Sequence, residues 1–485
     1  MKKLYYILAF MAAIFLFVDC GNASPEGTKN PFVKVSVSEK TVNCASGSFE
    51  VYVSSNTSWT VTAQTPWLKV SRTEGKGNMS IVISYDENYK GKDDSGVYIP
   101  GDPRTGTVRI SAEGTIPARV SVKQTSRTFR NPIFRPMPDP YVWREDHGNG
   151  AVYYYAVKSN GSGVNLGKSN KLTNLGGTKE VWHLPKQSGS VPVWNRANLW
   201  APEMFRIDGV WYIYYAAGWP SSESKDKYVS DYHTQRTGVI RNRAEDPTTG
   251  TWEDMGMIYT GDEYVPGIKA TVDNAIYAID MTTFELNGQR YAVWSGNVSQ
   301  TDGKQRIYIA TMENPWTINS NRVEISRPDM PWEKWDSSIN EGPSVIINEK
   351  AGKLFVVYSS NGSWTSKYNL SWIMLDMNAD PMNPDNWTKS KNYVFWRCDN
   401  VSKNDNPNNK DEIGGVHGVG HNTFTKSPDG TEDWIVYHVK RYKENGWDNR
   451  DCFIQKFTWN EDGTPNFGTP VGYWEEIEVP SGEPL

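Results

Sequence analysis

The sequence predicts an all-β chain: an immunoglobulin-like β-sandwich followed by a five-bladed β-propeller. Three observations carry this. Few segments show a 3.6-residue apolar period, while short apolar runs recur between Gly, Pro, Asn and Asp, as strands between turns do. The first of these, over residues 31–126, alternate apolar and polar residues. The remaining stretch, 127–485, repeats one aromatic strand five times. At 485 residues the chain is also too long for one ordinary core.

The chain opens with a pattern read as an export signal over residues 1–23. Lys2 and Lys3 precede an apolar run from Leu4 to Val18, too short to span a bilayer comfortably. Cys20 follows, and the arrangement resembles a bacterial lipoprotein signal in which the Cys is lipidated. Asp19 departs from the small residue usual before that Cys, so ordinary cleavage after Ala23 stays open. The expected location is therefore exported: a cell-surface or periplasmic lipoprotein of the outer membrane, otherwise secreted. The only membrane contact expected is that N-terminal lipid. The formal net charge of −5 and the lack of a Lys/Arg-rich run argue against nucleic acid as a partner. Four cysteines are too few for a disulfide framework; Cys398 and Cys452 are read equally as a bridge or as buried thiols.

In residues 31–126, Val33–Val37, Phe49–Val53, Trp59–Thr62, Ile81–Ile83, Val108–Ile110 and Val120–Val122 alternate, with turn residues between them. About seven short strands in this length indicate a sandwich. Ser55–Val61, Trp67–Val70, Gly75–Asn78, Arg104–Val108 and Val122–Gln124 resemble the BACON domain of secreted bacterial carbohydrate enzymes. The resemblance implies carbohydrate binding. Trp59 and Trp67 read better as core packing, and a spacer role is preferred.

The repeated strand appears at Ala151–Ala156, Val210–Gly218, Arg290–Gly296, Leu354–Gly362 and Trp434–His438, at intervals of roughly 58–80 residues. All-β repeats of that length, with room for four strands each, are what a propeller requires. Three copies follow Asp208-Gly209, Asn287-Gly288 or Ala351-Gly352.

Ahead of each aromatic strand stands a polar residue: Asp139 in Pro138-Asp139-Pro140, Glu203 in Trp200-Ala201-Pro202-Glu203, Asp280, Glu341 in Asn340-Glu341-Gly342-Pro343, and His421 in Gly420-His421-Asn422. If each aromatic strand is second in its blade, all five side chains face the central axis. Carboxylates around one cavity raise one another's proton affinity. Glycosidic cleavage needs such a division, one acid for the leaving oxygen and one base for water. The bland alternative is a polar hub that only satisfies buried groups.

These segments resemble glycoside hydrolase family 43 over residues 131–485. The resemblance implies a five-bladed propeller that hydrolyses poly- or oligosaccharide with inversion. It makes Asp139 the general base, Glu341 the general acid and Asp280 the residue that tunes the acid. Glu203 and Trp200 bind substrate or support the site. His421 is the hub histidine, which binds substrate beside either a calcium ion held mostly through water or a water cluster; no cofactor is required. Asn314–Ile318, Tyr358–Trp364 and Ser427–Trp434 look most like the exo-α-L-arabinofuranosidase branch, acting on arabinan or arabinose side chains. One departure is Met281-Thr282 after Asp280, where Gly-Thr is expected. Met281 stands to reshape the pocket and leaves the sugar open: β-galactofuranosidase or β-xylosidase on the same scaffold are alternatives. A non-catalytic sugar-binding lipoprotein is the alternative of another class. A sialidase would need an arginine triad and repeats of the turn that Ser427–Trp434 only approximates.

Overall fold

The computed structural model describes residues 30–92, 98–125, 128–148, 150–190, 193–224, 232–397, 415–441, 446–473 and 475–484. The leader with Cys20, and Cys398, lie outside them. Strand dominates throughout, so the chain is all-β. Among the described residues no helix is long and apolar enough to cross a membrane. Among the described residues two compact units emerge: 30–39, 47–85 and 106–121 form one, and 40–46, 86–105 and those from 122 on the other. This division differs from a cut at residue 126 by grouping 40–46, 86–105 and 122–125 with the larger unit.

In the smaller unit, Val33–Val35, Gly47–Ser55, Met79–Tyr85 and Leu68–Val70 pair in that order into one antiparallel sheet. Residues 108–111 pair with 60–63, and 58–60 pair with Glu74–Lys76. Alternate residues turn inward, so Val51, Val53, Val61, Ile81, Ile83, Val108 and Ile110 are buried. Trp59 is buried with them, and its indole N–H donates to the Gly77 carbonyl at 2.8 Å. Opposite it stands Gly75, where a Cβ would meet the indole ring at 2.3 Å. Trp59 is thus a packing residue, with no ring face left open.

The larger unit holds five successive antiparallel sheets, each with four strands in chain order; the third adds Val323–Ser326. Every recurring aromatic segment is the second strand of its sheet: Val152–Ser159, Val210–Gly218, Gln289–Asn297, Lys353–Ser360 and Asp433–Lys440. These strands are buried on both faces, which is why they read as near-continuous apolar runs. Tyr155 and Val157 of the first sheet pack on Met204 and Ile213 of the second. Tyr214 packs on Trp294 of the third, Val293 on Val356 of the fourth, and Val357 on Tyr437 of the fifth. Val436 and Ile454 then pack on Tyr154 and Ala156, so the fifth sheet meets the first and the ring closes.

Two hairpins join first and second strands through two residues with positive φ, Asp208-Gly209 (50°, 78°) and Asn287-Gly288 (52°, 79°). That conformation suits the twist of the flanking strands. The third turn signal is of another kind: Glu349–Ala351 is a 3₁₀ turn stopped by Gly352.

The fourth sheet is anchored by Glu333, which is fully buried. One carboxylate oxygen accepts from the Tyr358 hydroxyl at 2.8 Å and the Asn340 amide at 3.0 Å. The other accepts from the backbone N–H groups of Asp329 and Met330 and pairs with Lys389 at 3.0 Å. Asn340 immediately precedes Glu341, so this network fixes the strand that carries it. Removing one partner of a buried ion pair costs about 3–5 kcal/mol. Glu333→Ala is therefore expected to lower the larger unit's stability by about 3 kcal/mol, read as a lower urea midpoint; an unchanged midpoint refutes the anchor.

Candidate active site

The innermost strands do not run straight. In the second sheet Trp200 pairs with Ala216 and Glu203 with Tyr214, so three steps on one strand answer two on its partner. The same extra residue occurs between Ile279 and Thr282, Glu341 and Ser344, and Gly420 and Thr423. Each is a β-bulge, which re-aims the side chain it carries. The residue that opens the bulge has positive φ: Ala201 (40°), Asp280 (55°), Gly342 (57°) and His421 (48°). Asp139 (50°), just ahead of the strand Tyr141–Asp146, holds this place in the first sheet. Such backbone costs roughly 1–3 kcal/mol at a non-glycine residue and clusters at functional sites.

The equivalent positions are therefore Asp139, Ala201, Asp280, Gly342 and His421. This corrects the alignment by polar residue alone, because Glu341 comes one residue before the bulge position and Glu203 two after it. Asp139, Asp280, Glu341, His421 and Trp200 line one cavity of about 490 Å³, together with Gln305 and Arg450. Glu203 is not among the lining residues. It is buried, with one oxygen lacking a hydrogen-bond partner, and its pKa is raised first by burial and then by Asp280.

Met281 does not reshape the cavity. The bulge sends Asp280 inward and turns Met281 into the core between the second and third sheets, beside Ala278 and Trp294. Gly342 takes a bulge position where a side chain is crowded: a Cβ there would come within 3.2 Å of His421 Nδ1, so the ring would have to shift by a few tenths of an ångström.

The carboxyl groups sit in contrasting surroundings. Burial works against ionisation of Asp139, yet the Arg450 guanidinium, donating to Oδ1 at 2.7 Å, holds its pKa well below the usual carboxylate range. Nδ1 of His421 and of His438 lie 3.3 and 3.5 Å from the same oxygen. Glu341 is pushed up to about 7, by burial first and by the Asp139 charge. A hydrogen bond from Gln305 Nε2 at 3.1 Å to Oε2 works the other way. The nearby Tyr368 hydroxyl also lowers the value without a hydrogen bond of normal geometry. Asp280 is raised well above the usual range by burial, then by Glu341 and Asp139, and accepts the Gly342 N–H at 3.0 Å.

Several partners carry no motif of their own. His438 is fully buried and neutral, its pKa lowered to about 3, first by burial. Its Nδ1 accepts the Asp139 backbone N–H at 3.2 Å, and its ring stacks on Tyr368. Ser359 Oγ accepts the His421 N–H at 2.8 Å. Trp364 and Trp447 line the mouth with rings 5.3 Å apart, and Trp200 meets Tyr232 edge-on. Lys440 donates to the Trp364 carbonyl at 2.9 Å and fixes that rim.

Calcium prefers six to eight oxygen ligands. Among the described residues no three His, Cys, Asp or Glu side chains gather to hold a metal ion, and His421 Nδ1 faces Asp139. The residues do not fit a calcium ion coordinated directly by the protein.

The chain is 34% identical over 370 residues to the extracellular exo-α-(1→5)-L-arabinofuranosidase of Streptomyces avermitilis, covering 75% of this chain and 67% of that one. It is 31% identical to α-L-arabinofuranosidase B of Pyricularia oryzae, covering 73% of this chain and 65% of that one. The matched stretch thus spans about two thirds of each relative's length. Among solved structures, α-L-arabinofuranosidase from Lactobacillus brevis aligns with a TM-score of 0.58 at 30% identity, covering 71% of this chain and 98% of that one. The sequence profile of glycosyl hydrolases family 43 matches residues 129–465, and with the ring of sheets and its acid-lined cavity this places the chain in that family.

Proposed function

We propose that the protein is an inverting exo-α-L-arabinofuranosidase, a five-bladed propeller carrying an N-terminal immunoglobulin-like sandwich of BACON type. One observation carries the reading. Within one cavity Asp139 is held ionised by Arg450, while Glu341 keeps its proton to about pH 7. That is the division of labour between base and acid that inverting hydrolysis uses. Glu341 gives its proton to the leaving glycosidic oxygen. A water on the opposite face attacks the anomeric carbon and passes its proton to Asp139, on Oδ2, because Oδ1 is engaged by Arg450. Asp280, which accepts the Gly342 N–H at 3.0 Å, orients the strand beside Glu341. Trp200, the Trp364–Trp447 rim and His421 hold the sugar; Glu203 supports the site from behind. The names of the arabinofuranosidase relatives support the choice of sugar, and the extracellular Streptomyces relative supports export. Anchoring through Cys20 and a spacer role for the sandwich belong to the same proposal.

General acid catalysis contributes about 10²–10⁴-fold. Glu341→Gln is expected to lose that much on an unactivated arabinofuranoside and far less on a dinitrophenyl one; equal losses on both remove Glu341 from the acid role. Because Glu341 must be protonated to act, kcat/KM should fall as pH rises through about 7, and Glu341→Gln should lack that limb. Inversion requires room for water, with carboxyl groups about 6.5–9.5 Å apart in such enzymes. Proton NMR of the first-formed sugar should show the inverted anomer; a retained anomer contradicts the mechanism. Gly342→Ala is expected to displace the His421 ring and cost about tenfold or more in kcat/KM with the fold intact; wild-type kinetics would contradict the crowding argument.

A further inference from the structure

Gln305 begins the third strand of the third sheet and lines the cavity. Its backbone is bridged to Ile339, which adjoins the strand carrying Glu341. Its side-chain nitrogen lies 3.1 Å from Glu341 Oε2 and 3.1 Å from Ser295 Oγ. Ser295 Oγ in turn lies 2.9 Å from the Asn340 carbonyl oxygen.

This chain has only one consistent direction. A backbone carbonyl can only accept, so the Ser295 hydroxyl proton is committed to Asn340. Ser295 Oγ then has only lone pairs for Gln305, so the Gln305 amide must present nitrogen, not oxygen. One N–H goes to Ser295 and the other to Glu341 Oε2. Ser295 and Gln305 are thereby a lock on the acid: one holds the backbone before it, the other one of its two oxygens.

We infer that Gln305 is a positioning residue that decides which oxygen of Glu341 delivers the proton. With Oε2 occupied as an acceptor, the transferable proton resides on Oε1. As the glycosidic C–O bond breaks, the Oε1–H bond breaks and the leaving oxygen gains that proton. The carboxylate charge that develops is shared with Oε2, where the waiting N–H bond strengthens and needs no reorganisation. The inference rests on the reading of Glu341 as the acid and adds what that reading leaves open.

The test compares Gln305→Met, similar in length but without the donor, and Ser295→Ala, which frees the amide to turn. Glu341→Gln is the control, and the substrates are an unactivated and a dinitrophenyl arabinofuranoside. Losing a hydrogen bond to the charged form raises the acid's pKa, so the alkaline limb of kcat/KM in Gln305→Met should move up by about one pH unit. Its kcat should fall about tenfold on the unactivated substrate and hold on the dinitrophenyl one, a small part of the ~10²–10⁴-fold of general acid catalysis. Ser295→Ala should move both readouts in the same direction by less, and supplies the answer if Gln305→Met does not fold. An alkaline limb left in place, or equal losses on both substrates, overturns the inference. If Glu341→Gln itself loses equally on both, the acid assignment falls and Gln305 with it; if Glu341→Gln behaves as an acid variant while Gln305→Met does not, only the inference falls.

Discussion

The extra residue in each innermost strand is the constraint on which the site depends. A regular strand alternates its side chains, so neighbours such as Glu341 and Gly342 would face opposite ways. The bulge interrupts this alternation at Ala201, Asp280, Gly342 and His421, each with positive φ. Asp280 is thereby aimed into the cavity while Met281 remains in the core between sheets. The strain is sustained by the packing of each sheet on the next around a closed ring. It falls on Asp and His, which tolerate this backbone better than most residues, and on Gly342, where the His421 ring crowds a Cβ. Ala201 bears the same conformation with no polar group to present.

The bulges bring several carboxyl groups together, and their partners then separate them chemically. Burial raises the proton affinity of all of them. Only Asp139 has a guanidinium at 2.7 Å to offset it, and the negative charge kept there helps Glu341 and Asp280 hold their protons. The two buried histidines near Asp139 are held neutral, so Arg450 supplies the positive charge at this carboxylate.

The repeat was legible because second strands are buried on both faces, so Tyr154–Val157 and Phe355–Tyr358 stand out as apolar runs. Asp139, Asp280, Glu341, His421 and Trp200 were legible as polar or aromatic residues ahead of those runs. Their alignment was not, because a bulge leaves no signature in residue polarity. The signal that could have set it is the proline after three of the positions, in Asp139-Pro140, Ala201-Pro202 and Gly342-Pro343. Aligning on those prolines separates Glu203 from the ring of cavity residues. Ser295 and His438 lie near the ends of the recurring second strands, where polarity alone did not single them out, and Gln305 and Arg450 begin third strands. Arg450 meets Asp139 across 311 residues of chain, and no spacing in the sequence encodes such a meeting.

The central claim is that one cavity holds an ionised and a protonated carboxyl group side by side near neutral pH. Infrared difference titration of the full chain reads it directly, with Glu341→Gln and Asp139→Asn used to assign the carboxyl bands. The account predicts a protonated-carboxyl band from Glu341 that disappears as pH rises through about 7. It predicts no such band from Asp139 anywhere above the usual carboxylate range. Two carboxyl groups that lose their protons together near pH ~4, as free side chains do, would contradict it.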